Sequence, residues 1–188
     1  EAIIQTILPD KIFIDYTINE VIKLPKMQNF AIFFAFQRPQ TIKKILHLAG
    51  CAGLNQVNFF ISAKSQKSYS TSPVWLENNI HEEIIKGMEQ CGNILLPTVN
   101  ILDTQPDFTQ FNLKILLDTK GNFIKEKLFG VNKISTAIVI GPEGGFSTDE
   151  IDNYLADGFI QLKLSKFMLR TEFALAYLLA RIETENTP

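Results

Sequence analysis

Residues 138–150 read IVIGPEGGFSTDE, an apolar run that stops at Gly-Pro and is followed by a glutamate, two glycines and a helix start. Residues 137–140 are continuously apolar and rich in β-branched side chains, which predicts a strand covered on both faces. Ser147 precedes Glu150 by three residues, the spacing of a capping box, so a helix is predicted to begin there. The stretch therefore predicts a strand, a glycine loop (residues 141–147) and a helix N-terminus in succession, which is a common ligand-binding arrangement.

Three interpretations of the glycine loop are open at this point: a turn without a ligand, a phosphate site, or a pocket for a ligand with a positive or polar centre. The phosphate site is disfavoured because the loop matches neither G-x-G-x-x-G nor G-x-x-x-x-G-K-[ST]. The loop also contains Glu143, whose carboxylate would repel a phosphate but suits a positively charged ligand. Gly141, Gly144 and Gly145 favour close approach of a ligand, because glycine has no Cβ and tolerates positive φ.

The composition is typical of a globular chain without a membrane segment. Its 188 residues are 46% hydrophobic, enough for one sizeable core with a small appendage. No run of about 18 apolar residues occurs, and the first residues lack the pattern of a secretion signal. Cys51 and Cys91 lie far apart and outside any CxxC motif, as in a reduced, cytoplasmic protein with no membrane partner. His47 and His81 lack the spacing of metal ligands, so no metal site is predicted.

The charges are unevenly distributed although the net charge is only −2. Residues 29–76 contain no Asp or Glu, yet this stretch carries Arg38, Lys43, Lys44, Lys64 and Lys67. A second basic group, which includes Lys166 and Arg170, lies near the C-terminus. Such asymmetry is typical of a surface that binds a polyanion, and chance clustering on a solvated face accounts for it equally well.

Apolar periodicity predicts strands that alternate with helices. The predicted strands cover residues 30–36, 57–63, 98–102, 113–118, 137–140 and 159–164. The predicted helices cover residues 39–52, 73–91, 148–156 and 170–182. This alternation indicates an α/β fold with a mostly parallel sheet. Residues 1–28 instead contain short alternating β-like pieces, joined by Pro9-Asp10, that are too few to bury a core of their own.

Residues 164–172 read LSKFMLRTE and end in L-R-T-E at the start of the last predicted helix. Together with IGPEGG at residues 140–145 and EQCG at residues 89–92, this segment resembles the RsmE family. Enzymes of that family belong to the SPOUT superfamily and methylate N3 of a uridine in 16S ribosomal RNA with S-adenosylmethionine. The resemblance covers roughly residues 30–182, and residues 1–28 resemble the last strands of the family's PUA-like β-barrel.

The resemblance implies two domains, a partial PUA-like β-domain at residues 1–28 and a trefoil-knotted SPOUT methyltransferase domain at residues 29–188. It also implies a homodimer that acts on the 16S rRNA of the small ribosomal subunit, with S-adenosylmethionine bound in the knot. The implied cofactor residues lie in the three knot loops. They are Leu117, Ile140, Gly141, Gly144, Gly145, Leu164, Ser165, Met168 and Leu169.

The implied chemistry assigns roles to three charged residues. Methylation of a uridine N3 needs removal of its proton and stabilisation of the resulting anion. Glu143 and Glu172 are the candidates for accepting the proton or holding the base, and Arg170 is the candidate for stabilising the anion or a phosphate. Two alternatives remain open, namely that Glu172 only complements the helix dipole and that Arg170 forms a structural ion pair. The candidate RNA contacts are Arg38, Lys64, Lys67 and Lys166.

The chain also departs from the family's usual motifs. Residues 47–53 read HLAGCAG where the family has Q-K-x-x-E-L-G, so both charges of that motif are absent. The other departures fall in the E-Q-S/C-G motif and in the L-G-x-R-x-L-R-T-E-T motif. The departing positions are Leu48, Cys51, Asn93, Ser165, Phe167 and Phe173. Backbone-mediated cofactor binding survives such changes more easily than substrate recognition, so a non-catalytic dimeric relative that binds RNA or the cofactor is the alternative function.

Overall fold

The computed structural model describes residues 2–18, 29–123, 131 and 134–186. Within these residues a six-stranded parallel sheet carries helices, and a two-stranded antiparallel hairpin stands at the start of the chain. The strands are β1 (Ala2–Ile7), β2 (Ile12–Tyr16), β3 (Phe30–Ala35), β4 (Gln56–Phe60), β5 (Thr98–Leu102), β6 (Leu113–Phe123), β7 (Thr136–Ile140) and β8 (Ile160–Lys163). The helices are α1 (Pro39–Ala52), α2 (Glu77–Cys91), α3 (Thr148–Ala156) and α4 (Thr171–Asn186). The predicted α/β class and mostly parallel sheet are confirmed.

The sheet has the order β5-β4-β3-β7-β6-β8, and every pair of neighbours is parallel. The central strands β3 and β7 are buried along their whole length, as their continuous apolar sequences predict. Alternate side chains face opposite sides, so Phe34 and Ile138 join the core beneath α1 and α4, while Phe33 and Val139 join a second core beneath α3. Because β3, β7 and β6 are parallel neighbours in the sheet, their carboxyl ends lie side by side.

Local end signals define several helices. Helix α1 begins with Pro39 and ends at Gly53, which takes the left-handed conformation with φ of 60°. Helix α3 begins with the predicted capping box, in which the Ser147 hydroxyl accepts from the Glu150 N–H and the Glu150 carboxylate accepts from the Ser147 N–H. The predicted bounds of α1, α3 and β5 are therefore confirmed.

Several predicted elements are wrong in their extent: β4 ends at Phe60 rather than at residue 63, α4 continues to Asn186 rather than to residue 182, and two further differences have a visible cause. Residues 73–91 form a short 3₁₀ turn, Pro73–Trp75, followed by α2, because Leu76 is extended with ψ of 134° and interrupts the helix. The break lets the Trp75 ring pack on Phe36 and Phe59, each with its ring centroid 4.9 Å away. Strand β6 continues to residue 123 rather than ending at 118, because a register shift lets its second part pair with β8 again.

The hairpin of β1 and β2 confirms that the first residues form β-like pieces. Its apolar side chains are exposed on both faces, and Ile3, Ile7, Ile12 and Tyr16 are all more than half exposed. A lone two-stranded hairpin is marginally stable in water, and exposed apolar surface of this kind marks a contact region. The assignment of residues 1–28 to a separate domain stays a prediction.

Candidate active site

The glycine loop leaves the carboxyl end of β7 and makes a tight turn. The Gly145 N–H donates to the Pro142 carbonyl at 2.8 Å, and Gly145 has φ of 65°, a conformation that favours glycine. Apart from its chain neighbours, no described atom lies within 4 Å of the position that a Cβ on Gly145 would take. At Gly141, by contrast, a Cβ would come within 3.1 Å of the Phe146 ring. The loop is therefore packed at its beginning and open to a ligand at Gly145.

A buried amide connects the glycine loop to two other segments. Gln37 follows β3 and is completely buried. Its Nε2 donates to the carbonyls of Ala35 at 3.0 Å and Gly141 at 2.6 Å, and its Oε1 accepts from the Thr171 hydroxyl at 3.0 Å. The end of β3, the glycine loop and the first residue of α4 are thus joined through one side chain.

Gln37 was missed by the sequence analysis. The available signal was a polar residue placed directly after the apolar strand FAIFFAF and before Arg38-Pro39, the start of a helix. That position identifies a strand end at the edge of the sheet. It does not identify the partners of the amide, which are 104 and 134 residues away along the chain.

Glu143 lies at the surface of the glycine loop and contacts the start of α1. Its Oε1 accepts from the Arg38 backbone N–H at 3.1 Å and lies 3.9 Å from the Arg38 Nε. The side chains of Glu143 and Arg38 are 40% and 67% exposed, so this ion pair is weak and screened by solvent. The Glu143 carboxylate therefore remains accessible to a ligand at the loop.

Glu172 is in a different environment, although both glutamates were chosen for the same role. It is buried in the first turn of α4, and its Oε1 lies 3.0 Å from the Lys44 Nζ and 3.4 Å from the Arg170 Nε. Its Oε2 is buried and has no hydrogen-bond partner among the described residues. Burial alone would raise the pKa of Glu172, but a backbone hydrogen bond together with Lys44 and Arg170 holds it below the usual 4.5. A carboxylate stabilised in its charged form is a weak general base.

Arg170 therefore forms the ion pair that was left open as the alternative to a functional role. Its side chain is nevertheless 65% exposed, so the guanidinium still presents donors to solvent. Lys44, which the sequence analysis counted only among the basic residues of the stretch 29–76, is the nearer cation to Glu172. The catalytic roles of Arg170, Glu172 and Glu143 stay predictions.

Lys64 holds the glycine loop from the side of β4. Its Nζ donates to the carbonyls of Gly144 at 3.4 Å and Phe146 at 2.9 Å, and the adjacent Ala63 N–H donates to Glu150 at 2.7 Å. Of the four candidate RNA contacts, Lys64 is thus engaged within the chain. All four candidates are exposed, and Arg38 is likewise engaged within the chain through its contacts with Glu143.

The candidate cofactor residues meet only in part. Leu117 pairs with Ile140 at the carboxyl ends of β6 and β7, next to Gly141, and Leu164, which directly follows β8, packs against the same large buried cluster. Met168 is 78% exposed. The predicted apolar wall is therefore divided between core side chains and a loop that faces solvent.

Two cavities lie near this edge. The smaller, of about 370 Å³, contains the candidate residues Leu164 and Ser165 and is otherwise lined by Phe123, Lys166, Phe167, Tyr177 and Arg181. The larger, of about 640 Å³, lies between α3 and the loops after β4 and β5, and none of the candidate cofactor residues lines it. Because residues 164–167, which lead into the L-R-T-E motif, line the smaller of these two cavities and not the larger, we associate the smaller cavity with the site.

The departures at Cys51 and Asn93 serve the packing of α1 in this chain. The Cys51 thiol donates to the Gly87 carbonyl of α2 at 3.3 Å, and the Asn93 amide donates to the Gly50 carbonyl at 2.7 Å. Burial, together with the neighbouring Cys91, raises the pKa of Cys51 to about 11, so it stays a thiol at neutral pH. These positions are therefore structural here.

A family model described as an RNA methyltransferase domain matches residues 24–183 of the chain. The chain belongs to this family. It is similar to the ribosomal RNA small subunit methyltransferase E 1 of Borreliella burgdorferi, with 26% identity over 156 residues. That match covers 79% of this chain and 64% of the relative, so the chain spans somewhat less than two thirds of the relative's length. The resemblance to the RsmE family is confirmed.

Two solved structures share the fold. A protein of Legionella pneumophila in complex with bound S-adenosyl methionine is 22% identical with a TM-score of 0.75, over 97% of this chain and 77% of that one. The small subunit methyltransferase E of Neisseria gonorrhoeae, bound to S-adenosyl methionine, is 21% identical with a TM-score of 0.67, over 84% and 66%. In the described part of this chain, no cluster of three or more metal-binding side chains and no helix long and apolar enough to cross a membrane is found.

Proposed function

We propose that this chain transfers a methyl group from S-adenosylmethionine to N3 of a uridine in 16S ribosomal RNA. The observation that carries the proposal is the meeting of two motif segments at one edge of the sheet. The glycine loop follows β7, the L-R-T-E segment opens α4, and the family match spans both. Ligands of parallel α/β sheets bind at the carboxyl ends of the strands, where both segments lie.

The residues at this edge fit the cofactor. The open position at Gly145 allows a ligand to approach the backbone, and the exposed Glu143 carboxylate complements a positively charged sulfonium. Residues 141–145 and 164–169 would hold S-adenosylmethionine through backbone groups, with Leu164 and Leu169 supplying apolar contacts. When bound, the cofactor supplies an electrophilic methyl group.

The chain's own groups then have to manage the uridine proton and charge. Glu143 is the more accessible of the two candidate glutamates, so we assign to it the holding or deprotonation of the base. Glu172 is ion-paired and buried, and we assign to it the orientation of Arg170. The exposed guanidinium of Arg170 stabilises the uridine anion or a neighbouring phosphate.

We further propose a homodimer built on α4. One face of this helix lies in the core, with Leu175, Leu178 and Leu179 buried. The opposite face is also apolar, yet Phe173 is 59% and Tyr177 is 48% exposed. A helix that is apolar on both faces is expected to be covered on both. In this proposal the trefoil-knotted domain covers residues 29–188, and the hairpin of β1 and β2 belongs to a separate PUA-like β-domain.

The test uses small ribosomal subunits that lack the modification. The protein is incubated with these subunits and labelled S-adenosylmethionine, and the RNA is digested and analysed by mass spectrometry. Labelled 3-methyluridine is the expected product. Binding of S-adenosylhomocysteine without methylation would support the non-catalytic alternative, and a label on another atom would overturn the uridine-N3 assignment.

A further inference from the structure

The Gln37 amide is the buried polar group that joins the most distant parts of the candidate site. Its three hydrogen bonds end on Ala35, Gly141 and Thr171, which belong to β3, the glycine loop and α4. Burying an amide without hydrogen bonds is costly, whereas a satisfied buried network fixes the geometry of the groups it connects. Gln37 therefore fixes the geometry of three segments at once.

One of these segments, the glycine loop, is a proposed wall of the cofactor site, and the start of α4 directly follows the other proposed wall, the loop of residues 164–170. Gly141 begins the glycine loop immediately after the last residue of β7, and Thr171 stands between Arg170 and Glu172. The strand ladder of β7 with β3 and β6 ends at Ile140. Beyond Ile140, the hydrogen bond from Gln37 to the Gly141 carbonyl connects the glycine loop to the end of β3.

We propose that Gln37 is a positioning residue that sets the glycine loop and the start of α4 in their ligand-binding arrangement before the ligand arrives. This inference rests on the proposed function, because it assumes that the two segments bind S-adenosylmethionine together. Loss of the amide leaves the Gly141 carbonyl and the Thr171 hydroxyl without this partner, so the glycine loop and the start of α4 are free to shift. Small displacements of binding groups lower affinity strongly when a ligand depends on preorganised geometry.

A second buried amide provides a matched control. Asn58 is buried and donates to the Ile32 carbonyl at 3.2 Å, while its Oδ1 accepts from Gln56 and Asn100, each at 2.8 Å. This network joins β3, β4 and β5, which are already paired as neighbouring strands. Its loss should therefore destabilise the fold without moving the candidate site.

The experiment compares Gln37→Met with Asn58→Leu in the full chain. The affinity for S-adenosylhomocysteine is measured calorimetrically at a temperature where circular dichroism shows each variant folded. We expect both melting temperatures to fall, and the affinity to fall by about tenfold or more only for Gln37→Met, the effect of one lost buried hydrogen bond or more. Equal affinities in the two variants would overturn the inference and leave Gln37 with a structural role.

A second variant separates the role of the Gln37 amide as a hydrogen-bond donor from its role as an acceptor. Gln37→Glu keeps an oxygen for the Thr171 hydroxyl but cannot donate to the Gly141 carbonyl when ionised. We expect its amide hydrogen exchange to accelerate at residues 143–146 more than at residues 172–175. Faster exchange at neither segment would contradict a positioning role. If the wild-type protein binds no S-adenosylhomocysteine, the proposed cofactor site fails, and the exchange measurement alone then decides whether Gln37 orders the loop.

Discussion

The two walls of the candidate site differ in how firmly the chain holds them. The glycine loop is fixed from three directions, by Gln37 at its beginning, by Lys64 at its carbonyls and by the capping box that follows it. In the loop of residues 164–170, by contrast, the Phe167 and Met168 side chains are about four fifths exposed, at 81% and 78%. Contacts within the chain thus hold the glycine loop in place without a ligand. The second loop exposes apolar side chains, and such surface marks a contact region for a ligand or a partner.

Arg170 offers the strongest test of the second wall. We expect Arg170→Ala to leave the affinity for S-adenosylhomocysteine within a few-fold and to lower methyl transfer by about two orders of magnitude, the cost of one lost charge-stabilising donor. Single-turnover methylation and calorimetry would measure the two quantities. Lys86→Ala is the control, because Lys86 is also an exposed cation paired with glutamates but lies on α2, outside the candidate site. A destabilised but fully active Arg170 variant would show that Arg170 has only a structural role, in its ion pair with Glu172.

The glycine loop is tested by a branched side chain at Gly145. Gly145→Val places a β-branched residue at φ of 65°, which costs about 1–2 kcal/mol of folding free energy. Gly158→Val is the control, since Gly158 has φ of 85°, lies after α3, and likewise has open space around its Cβ position. We expect similar losses of stability in both variants, and a loss of S-adenosylhomocysteine affinity of about tenfold or more only at Gly145. Unchanged affinity at Gly145 would place the pocket elsewhere.

The exposed apolar face of α4 is expected to be covered by a second copy of the chain rather than by a ligand. We expect Phe173→Ser to weaken dimerisation by about tenfold or more while leaving the melting temperature of the monomer nearly unchanged, because interface anchors contribute more than exposed side chains. Sedimentation velocity over a concentration series would measure the dissociation constant. Ile94→Ser is the control, because Ile94 is 60% exposed and lies outside α4. A wild-type monomer at micromolar concentration would contradict the proposed dimer.

The pH dependence of stability tests the environment of Glu172 and is expected to be the smallest effect. Its folded-state pKa lies below 4.5, so its charged form stabilises the fold above that pH, and this contribution disappears as pH falls through the folded pKa. We expect wild type to exceed Glu172→Gln in stability by about 1 kcal/mol at pH 7, because Lys44 and Arg170 are half exposed and weaken the pairing. Urea denaturation at pH 7 and pH 3.5 would show whether the difference shrinks. A stability difference between wild type and Glu172→Gln that grows toward low pH would contradict the lowered pKa of Glu172.

Much of the fold follows from local sequence signals. Pro39 and Gly53 bound α1, and Ser147 with Glu150 starts α3, because caps and breakers act within a few residues. The interruption at Leu76 was not predicted, since the apolar spacing continues through it and the packing of Trp75 against Phe36 decides it. Tertiary packing overrides periodicity at such a position.

The site was predictable only in part, for a related reason. The motifs at residues 140–145 and 164–172 identify both walls, and the parallel sheet brings their strand ends to one edge. The partners that fix them, Gln37 for the glycine loop and Lys44 for Glu172, lie more than 100 residues away along the chain. Neither periodicity nor spacing indicates which distant side chains meet, so these contacts appear only in the structure.

In the binding mode that we propose, S-adenosylmethionine lies between a preformed glycine loop and a loop that orders on binding. Amide hydrogen exchange with and without S-adenosylhomocysteine tests it most directly, because exchange reports local opening segment by segment. We expect residues 143–147 to be protected already without ligand and residues 165–170 to gain the larger protection when ligand is added. Protection gained instead at residues 103–108 and 153–157, which contribute to the larger cavity, or at no segment, would contradict it.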